Sequence, residues 1–589
     1  MSSTKKWLPW TFIGLACILL APTLVFGMRE AHDSKFHLML FLSWRDALEL
    51  GTLYPRWLPD QLNGLGSPAL LIYPPLASAF FALVDLLTLH TLPPERLIGI
   101  GALLLAVASG VGFYRWARSY ASARPALMAA LFYAIAPYHL NLDLYARGAM
   151  AEYTTFVWIP LIFLGIRRTI VTGSAAGAAL LATGAAALFL THLLTAMLVA
   201  PLALAYVVMC LRTELSAGLR IGRFALVAVT AILGVGLAAF YYVPALSLLP
   251  EANASVLSSD VTSSNIFFAL RMPIDRFQVK LLLIACAYLG FFLYLLAETW
   301  NQRKQRAPGA APTLALMWIA CGILCFALMS GLFAFVFRPP SPYAQVQFGW
   351  RLLVVMEFSV ISLFVCVAGG AAQAPGRARM LKVGAIVALA LGAAQSLDIL
   401  ARFHNVAVFA HPLMETTIVQ QRLAPLEYFP AGTTRDQKVE VAIKPFERYA
   451  SSGQAAFMTP GPAMAKETGR IVSAKRTGAQ FTVQSVLAAP TPVTIQQFYF
   501  PGWKAVDEHG VDIAVFRDET SRLASYVAPA GEHTVVVERR QTKPEHWGNV
   551  VSLAALVLLA LELGFLLRRP RASLPIRQPA GLVRANVES

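Results

Sequence analysis

The sequence predicts a polytopic α-helical membrane protein of about twelve transmembrane helices, with a β-rich soluble domain placed before the last of them. Three observations predict it. Hydrophobic residues make up 57% of the chain and charged residues only 14%, against about a quarter in ordinary soluble domains. Apolar stretches near the roughly 20 residues that a bilayer core requires recur along the chain. Finally, the basic residues of the intervening loops alternate between two sides.

The expected spans lie near residues 7–27, 97–114, 125–140, 153–166, 174–190, 193–211, 224–247, 278–297, 314–337, 351–371, 383–400 and 549–567. With this set, Lys5/Lys6, Arg115/Arg118/Arg124, Arg167/Arg168, Arg212/Arg220/Arg223, Arg303/Lys304/Arg306, Arg377/Arg379/Lys382 and Arg568/Arg569/Arg571 share one side. The positive-inside rule makes that side the cytoplasm. The first span has the length of a signal peptide, but Pro22, Gly27 and the charged stretch Met28–Asp33 make a poor cleavage site, so it is expected to stay as an anchor. One further apolar stretch, residues 69–90, must then not cross, because counting it would reverse every later loop. Pro74 and Pro75 near its start and Asp85 within it suit a segment lying in or dipping into the outer interface.

The resulting organisation is a transmembrane module over 1–247 with an external loop at 28–96, further membrane helices over 248–400, an external soluble domain over 401–548, and a last span with a basic cytoplasmic tail over 549–589. Within the soluble part, Phe481–Val486, Val493–Tyr499, Asp512–Phe516 and Thr534–Arg539 read as strands separated by breaks such as Pro501–Gly502 and Pro529–Gly531. Its length suits one small sandwich domain. The six cysteines all fall inside expected spans, so the soluble part holds no disulfide framework. The net charge of +16 sits in the short cytoplasmic loops and tail, which membrane orientation explains without a nucleic-acid partner.

Polar residues that chemistry can use are concentrated in two external loops. In the first, Asp33 precedes an amphipathic helix, about Ser34 to Leu50, that carries His37, Leu40, Phe41, Trp44 and Leu48 on one face. Tyr54-Pro55-Arg56-Trp57, Gly64, Gly66 and Tyr73-Pro74-Pro75-Leu76 follow. In the second, His139, Asp143, Tyr145, Arg147 and Glu152 crowd between two apolar spans. Such polarity is expensive there unless it lines a wet site.

The pattern His32-Asp33, His37, Gly51, Tyr54-Pro55-Arg56-Trp57, Gly64, Gly66, Pro68, Tyr73-Pro74-Pro75-Leu76, then Tyr145-Ala146-Arg147-Gly148 and Glu152 resembles the GT-C superfamily of membrane glycosyltransferases. It is similar to the bacterial membrane proteins labelled 6-pyruvoyl-tetrahydropterin-synthase-related. The segment from Tyr499-Phe-Pro-Gly-Trp-Lys504 to Pro529-Ala-Gly-Glu-His533 looks like the outer domain of the YfhO-like membrane proteins. The pterin label finds no clustered histidine set here. The resemblance implies a GT-C-like fold, an inverting transfer of a hexosyl or pentosyl group from a polyprenyl-phosphate sugar, and a lipid-linked or surface glycan as acceptor. Membrane lipids surround it, and the setting is the periplasmic face of a bacterial inner membrane with both termini in the cytoplasm.

On that reading Asp33 is the base for the acceptor hydroxyl, although it also stands where a helix N-cap belongs. Glu30 is a weaker alternative. His37, one turn on, orients the carboxylate or the phosphate, or is only an interfacial contact. Arg56 faces phosphate or anionic headgroups. Asp143 or Glu152 positions the acceptor or an arginine; the alternative is an Arg147–Glu152 ion pair that shapes the loop. Arg147 is also a candidate for the donor phosphate, and Tyr145 for the cavity wall. His192, in the turn between spans five and six, reaches the cavity or is an ordinary turn residue. Arg351 offers a planar guanidinium for phosphate, or anchors the interface with Trp350. The loop at 248–277, with Arg271, Asp275 and Arg276, is a candidate cover for the donor. No cofactor and no metal are expected, since no Asp-x-Asp pair is present and Arg147 would repel an ion. The competing class is a non-catalytic glycan or lipid transporter, or an assembly factor of the envelope; a transporter would place ionisable groups near mid-membrane.

Overall fold

The computed structural model describes residues 14, 17–253, 276–305, 313–346, 348–370, 375–404, 425–433, 456–458, 469–519 and 521–568. The donor-cover candidates Arg271 and Asp275, the basic residues Lys5, Lys6, Arg306, Arg569 and Arg571, and most of 401–468 fall outside them.

Eight helices among the described residues are long and apolar enough to cross a membrane: Pro94–Ala117, Met150–Thr172, Leu193–Glu214, Ala217–Leu237, Gln278–Gln302, Gly349–Gly369, Ala378–Ala401 and Lys543–Arg568. At 1.5 Å per residue each exceeds the roughly 30 Å hydrocarbon core. Three more expected spans are shorter apolar helices, Cys17–Phe26, Ala175–Thr191 and Thr313–Met329. The span expected at 125–140 is a helix only over Ala123–Ala134; beyond it the chain widens into a π-helical turn, Tyr138–Arg147. The span expected at 224–247 divides at Ala238 into Ala217–Leu237 and Ala239–Leu248. Gly349–Gly369 runs through the centre with 89% of its apolar window buried, whereas Lys543–Arg568 has 17% and lies at the periphery.

Small residues let these helices approach. A Cβ on Gly165 would lie 2.5 Å from the backbone N of Leu181, so Met150–Thr172 and Ala175–Thr191 touch backbone to backbone, as membrane helices do where dispersion replaces the hydrophobic effect.

The stretch 69–90 does not form one spanning helix. It is two, Ala69–Ile72 and Leu76–Leu87, separated by extended backbone at Tyr73 before Pro74 and Pro75. Twelve residues reach about 18 Å, too short to cross. Asp85 is buried there because His90 Nδ1 lies 2.6 Å from its Oδ2. The preceding helix, Ser34–Glu49, departs from the amphipathic expectation: Leu38, Met39, Leu40, Phe41 and Leu42 are all buried. It packs against Leu76–Leu87, and His37 to Trp44 are buried within the protein.

The β-rich part is a sandwich. Strands β1 (Ala456–Met458), β4 (Thr491–Phe498), β8 (Leu523–Ala528) and β7 (Val515–Arg517) form one sheet in the order β1-β4-β8-β7. β2 (Gly469–Thr477), β3 (Gln480–Leu487), β9 (Gly531–Arg539), β5 (Trp503–Val506) and β6 (Asp512–Ile513) form the other, in the order β2-β3-β9-β5-β6. Described pairings are antiparallel, β3 and β9 in register from Gln480↔Glu538 to Leu487↔Gly531. Alternate residues Phe481, Val483, Val535 and Val537 meet Val493, Ile495, Ala524 and Tyr526 in a common core. The expected strand Asp512–Phe516 is in fact two short strands, one in each sheet.

This domain is fastened to the loop after Ser34–Glu49. The Trp57 indole N–H donates to Gln497 Oε1 (2.6 Å), and Gln497 Nε2 donates to the carbonyls of Gly64 (2.7 Å) and Pro59 (3.2 Å). The Phe498 N–H donates to the Leu65 carbonyl at 2.6 Å. Trp57 packs edge-on to Trp503, with centroids 5.8 Å apart. Trp57, Gly64 and Leu65 of the loop therefore form a dock for the β domain.

Candidate active site

The site is built where the π-helical turn meets the start of Ser34–Glu49. The turn closes on Gly148 with φ +65°, in the left-handed region that glycine tolerates. A Cβ there would lie 2.6 Å from Met28 Cε and 2.8 Å from Ser34 Cβ, so only glycine lets the two segments meet. The Asp33 N–H then donates to the Arg147 carbonyl at 2.6 Å, which fixes the two side chains against each other. Widened turns of this kind often mark functional positions.

Arg147 stands at the centre of three carboxylates. Its Nη1 donates to Asp143 Oδ1 (2.8 Å) and Glu152 Oε2 (2.7 Å), and its Nη2 to Asp33 Oδ2 (3.2 Å). The Trp350 ring covers the guanidinium at 4.9 Å. The Tyr138 hydroxyl donates to Glu152 Oε1. Arg351 Nε lies 3.8 Å from Glu152 Oε2, and its Nη1 donates to the Val346 carbonyl at 3.0 Å. Three carboxylates thus face two guanidiniums, and the direct hydrogen-bonded pairs with Arg147 offset part of the cost of burying Asp143 and Glu152.

Among the three acids, Asp143 and Glu152 are closed off, at 0% and 1% side-chain exposure, while Asp33 is 28% exposed. Asp33 occupies the N-cap position of its helix, yet its side chain caps no helical N–H; the carboxylate is turned to Arg147 and to His32 Nδ1 at 2.7 Å. Burial opposes its ionisation, but the His32 hydrogen bond and the Arg147 charge outweigh burial and hold the carboxyl well below the usual range. His37 is pushed down to about 4, chiefly by burial. It is therefore neutral at pH 7 and offers hydrogen bonds rather than positive charge. Its ring lies 5.8 Å from those of Phe36 and Tyr73.

Of the residues picked from sequence, Asp33, His37, Asp143, Arg147, Glu152 and Arg351 come together. His192 lies within electrostatic range of Glu152, Arg351 and Arg147. Its Nδ1 accepts from the Thr195 N–H at 3.3 Å, which leaves the neutral ring's proton on Nε2. Three assignments are corrected. Arg56 is elsewhere, its Nη2 donating to Asn549 Oδ1 (2.8 Å) and the Phe240 carbonyl (3.1 Å) beneath the β domain. The Tyr145 hydroxyl donates to the Leu19 carbonyl and ties the turn to the first helix, so it is a brace and not a cavity group. Arg147 spends both Nη atoms on carboxylates, which makes it the organiser of the cluster rather than a ligand for phosphate. Glu30, the alternative base, pairs with Lys35. His139 stacks on Phe156 at 3.9 Å in the core.

Sequence reasoning missed Tyr138, Trp350 as a lid over Arg147, and Glu357. Glu357 Oε2 accepts from the Tyr138 N–H (3.1 Å) and from the Tyr288 hydroxyl. An acidic residue inside an apolar span was the available signal.

Fold and site together define a polytopic membrane protein with a buried arginine–carboxylate centre beside a docked β-sandwich. No family model matches the chain, and no curated protein matches it. Among solved structures it is similar to the arabinofuranosyltransferase AftD from Mycobacteria, at 16% identity and a TM-score of 0.38 over 68% of this chain and 27% of that one. It is also similar to ArnT from Cupriavidus metallidurans in the apo state, at 14% identity and a TM-score of 0.30 over 78% of this chain and 97% of that one. The chain thus spans little more than a quarter of the length of AftD.

Proposed function

We propose that the protein is a membrane glycosyltransferase that moves a sugar from a polyprenyl-phosphate donor to a lipid-linked or surface glycan, on the periplasmic side of a bacterial inner membrane. The observation that carries this reading is Asp33: an ionised, partly exposed carboxylate held by Arg147 inside an otherwise buried network. The motif resemblance set out above supports it.

In the reaction, the acceptor hydroxyl hydrogen-bonds to Asp33. As the acceptor oxygen bonds to the anomeric carbon, its proton passes to the Asp33 carboxylate, and the bond from that carbon to the donor phosphate breaks with inversion. The phosphate departs with the electron pair. Its second pKa of about 6 makes it a good leaving group, and the Arg351 guanidinium offsets its charge. Asp33 binds protons weakly and is partly exposed, so it passes the proton on to water. Arg147 occupies the position between the three carboxylates that a divalent ion would take, so transfer is expected to proceed without one.

Membranes from cells with and without the protein, compared by mass spectrometry of their glycolipids, test this reading. One glycolipid should lose a sugar in the deletion strain, and the missing transfer should be restored by purified protein in the presence of EDTA. Identical glycolipid profiles, or transfer that requires Mn²⁺ or Mg²⁺, would contradict it.

A further inference from the structure

A strap that precedes the β sandwich reaches the Asp33 cluster. Within residues 425–433, one turn of 3₁₀ helix, Leu426–Tyr428, is followed by extended backbone at Phe429. The strap is held from both sides. On the side of the membrane helices, Ala252 and Pro430 form an antiparallel bridge. The Asn253 N–H donates to the Phe429 carbonyl and the Ala431 N–H to the Glu251 carbonyl, each at 2.9 Å. The Asn253 amide donates to the Thr433 carbonyl at 2.7 Å. On the side of the sandwich, Arg522 donates through Nη1 to the Ala431 carbonyl and through Nη2 to the Gly432 carbonyl, the latter at 3.0 Å. Phe429 packs on Phe498 there, with centroids 5.8 Å apart.

What the strap delivers is Tyr428. Its ring stacks on Phe36, with centroids 5.0 Å apart and planes at 15°, and meets Tyr73 edge-on at 6.4 Å. Phe36 meets Tyr73 edge-on at 5.1 Å. Phe36 follows Asp33 by three residues, and both tyrosines lie within electrostatic range of the Asp33 carboxylate. Three segments remote in sequence so raise an aromatic wall beside the candidate base. Packing alone does not account for it. Phe36 and Tyr73 are only half-buried. Among the described residues neither the Tyr73 nor the Tyr428 hydroxyl makes a hydrogen bond, and neither oxygen is sealed from solvent. Tyrosines withdrawn into a protein usually give the hydroxyl a partner. Tyr54 and Tyr241 do so, donating to the carbonyls of Leu70 and Ile72 at 2.9 Å each. Aromatic rings with two uncommitted phenols suit a ligand that is apolar on one face and rich in hydroxyls, as a sugar ring is. An isoprenoid chain would use the rings and leave both phenols unmet.

We propose that Phe36, Tyr73 and Tyr428 form the seat of the acceptor sugar, so that the chain leading into the β sandwich contributes a substrate-contacting residue, Tyr428, to the site. Arg522 is a positioning residue that acts through the strap. This assignment rests on Asp33 acting as the base in sugar transfer, which is what makes the seated sugar the acceptor.

The test uses the full-length protein in nanodiscs. Saturation-transfer NMR with the methyl glycosides of glucose, galactose, mannose and xylose, and with farnesol, reads binding apart from transfer. Saturable binding of at least one glycoside is expected. Tyr428→Phe or Tyr73→Phe should weaken it about threefold to tenfold, the effect of one lost hydrogen bond, and Tyr526→Phe in the sandwich core should leave it unaltered. Arg522→Gln should weaken it too, and should add nothing in a Tyr428→Ala background. The phenylalanine exchanges keep the ring packing, so they decide should Tyr428→Ala fail to fold. In the transfer assay both should raise the acceptor KM with kcat kept. Glycoside binding that depends on the two tyrosines, with unchanged glycolipids in the deletion strain, would sustain the sugar seat and remove the transfer reading. Intact transfer that is indifferent to both exchanges would remove the seat and leave the transfer reading in place. No glycoside binding, or tyrosine-dependent binding of farnesol alone, overturns the proposal.

Discussion

His37 and Asp33 sit four residues apart on one helix, and their environments move them in opposite practical directions: one is kept neutral, the other ionised. The His37 value of about 4 in the folded protein lies below the unfolded value near 6.5. The unfolded chain therefore binds the proton more readily, and stability is full above pH 6.5 and declines as the pH falls toward 4. Between pH 7 and 5 the loss from this group is about 2 kcal/mol. Thermal unfolding in detergent should show that slope in the wild type and a flatter one in His37→Gln; equal slopes would remove the effect. At Arg351, alanine should cost more transfer than lysine, because lysine keeps the charge but not the planar fork. The alanine loss should correspond to about 1.5–3 kcal/mol, as for a charge-assisted hydrogen bond, and is read from kcat/KM for the donor. Asp33, Arg147, Glu152 and Arg351 were legible in the sequence because ionisable residues beside apolar spans are rare. Arg56 was misplaced for the converse reason: its neighbours Asn549 and Glu545 are almost 500 residues away, and spacing carries no information about them.

The element on which the site depends is the π-helical turn Tyr138–Arg147 with its terminal Gly148. An alanine at 148 needs a φ that it rarely adopts and meets Met28 and Ser34 as well. Gly148→Ala is expected to destabilise the protein by about 1–3 kcal/mol and to lower transfer by separating Arg147 from Asp33. Unchanged unfolding temperature together with unchanged transfer would show that the contact is not needed. The turn was invisible to sequence reading because its apolar residues Leu140, Leu142 and Leu144 continue the apolar run of the preceding helix, so 125–140 reads as one span. Among the strands, β3, β4 and β9 were legible from alternating Val, Ile, Thr and Phe residues. β2 was hidden by Arg470, Lys475 and Arg476, charges suited to its position at a sheet edge. β8, Leu-Ala-Ser-Tyr-Val-Ala, was hidden by small residues of low strand propensity that fit a crowded core. The helix Ser34–Glu49 reads as amphipathic in sequence, and its packing against Leu76–Leu87 is a tertiary contact that spacing along the chain does not encode.

At the scale of the whole molecule, the alternation of basic loops required that 69–90 not cross, and the break at Tyr73-Pro74-Pro75 agrees with it. Labelling can test the orientation. In a background without Cys17 and Cys286, a cysteine at Leu53, which is 83% exposed, should react with an impermeant reagent from outside, and one at the exposed Ser122 only after the membrane is opened. Labelling of both from the same side would mean that 69–90 spans, and would move the Asp33 cluster to the other face. The β domain is locked to the first loop through Gln497 and Trp57, so the side that Leu53 labels from is also the side of that domain. The most direct measure of Asp33 as the base is the glycolipid profile of cells that carry only Asp33→Asn, with membrane levels of the protein matched to wild type. The profile of the deletion strain is expected, since replacing a general base costs at least about 100-fold in rate; a wild-type profile at matched levels would contradict the role of Asp33 and place the chemistry elsewhere.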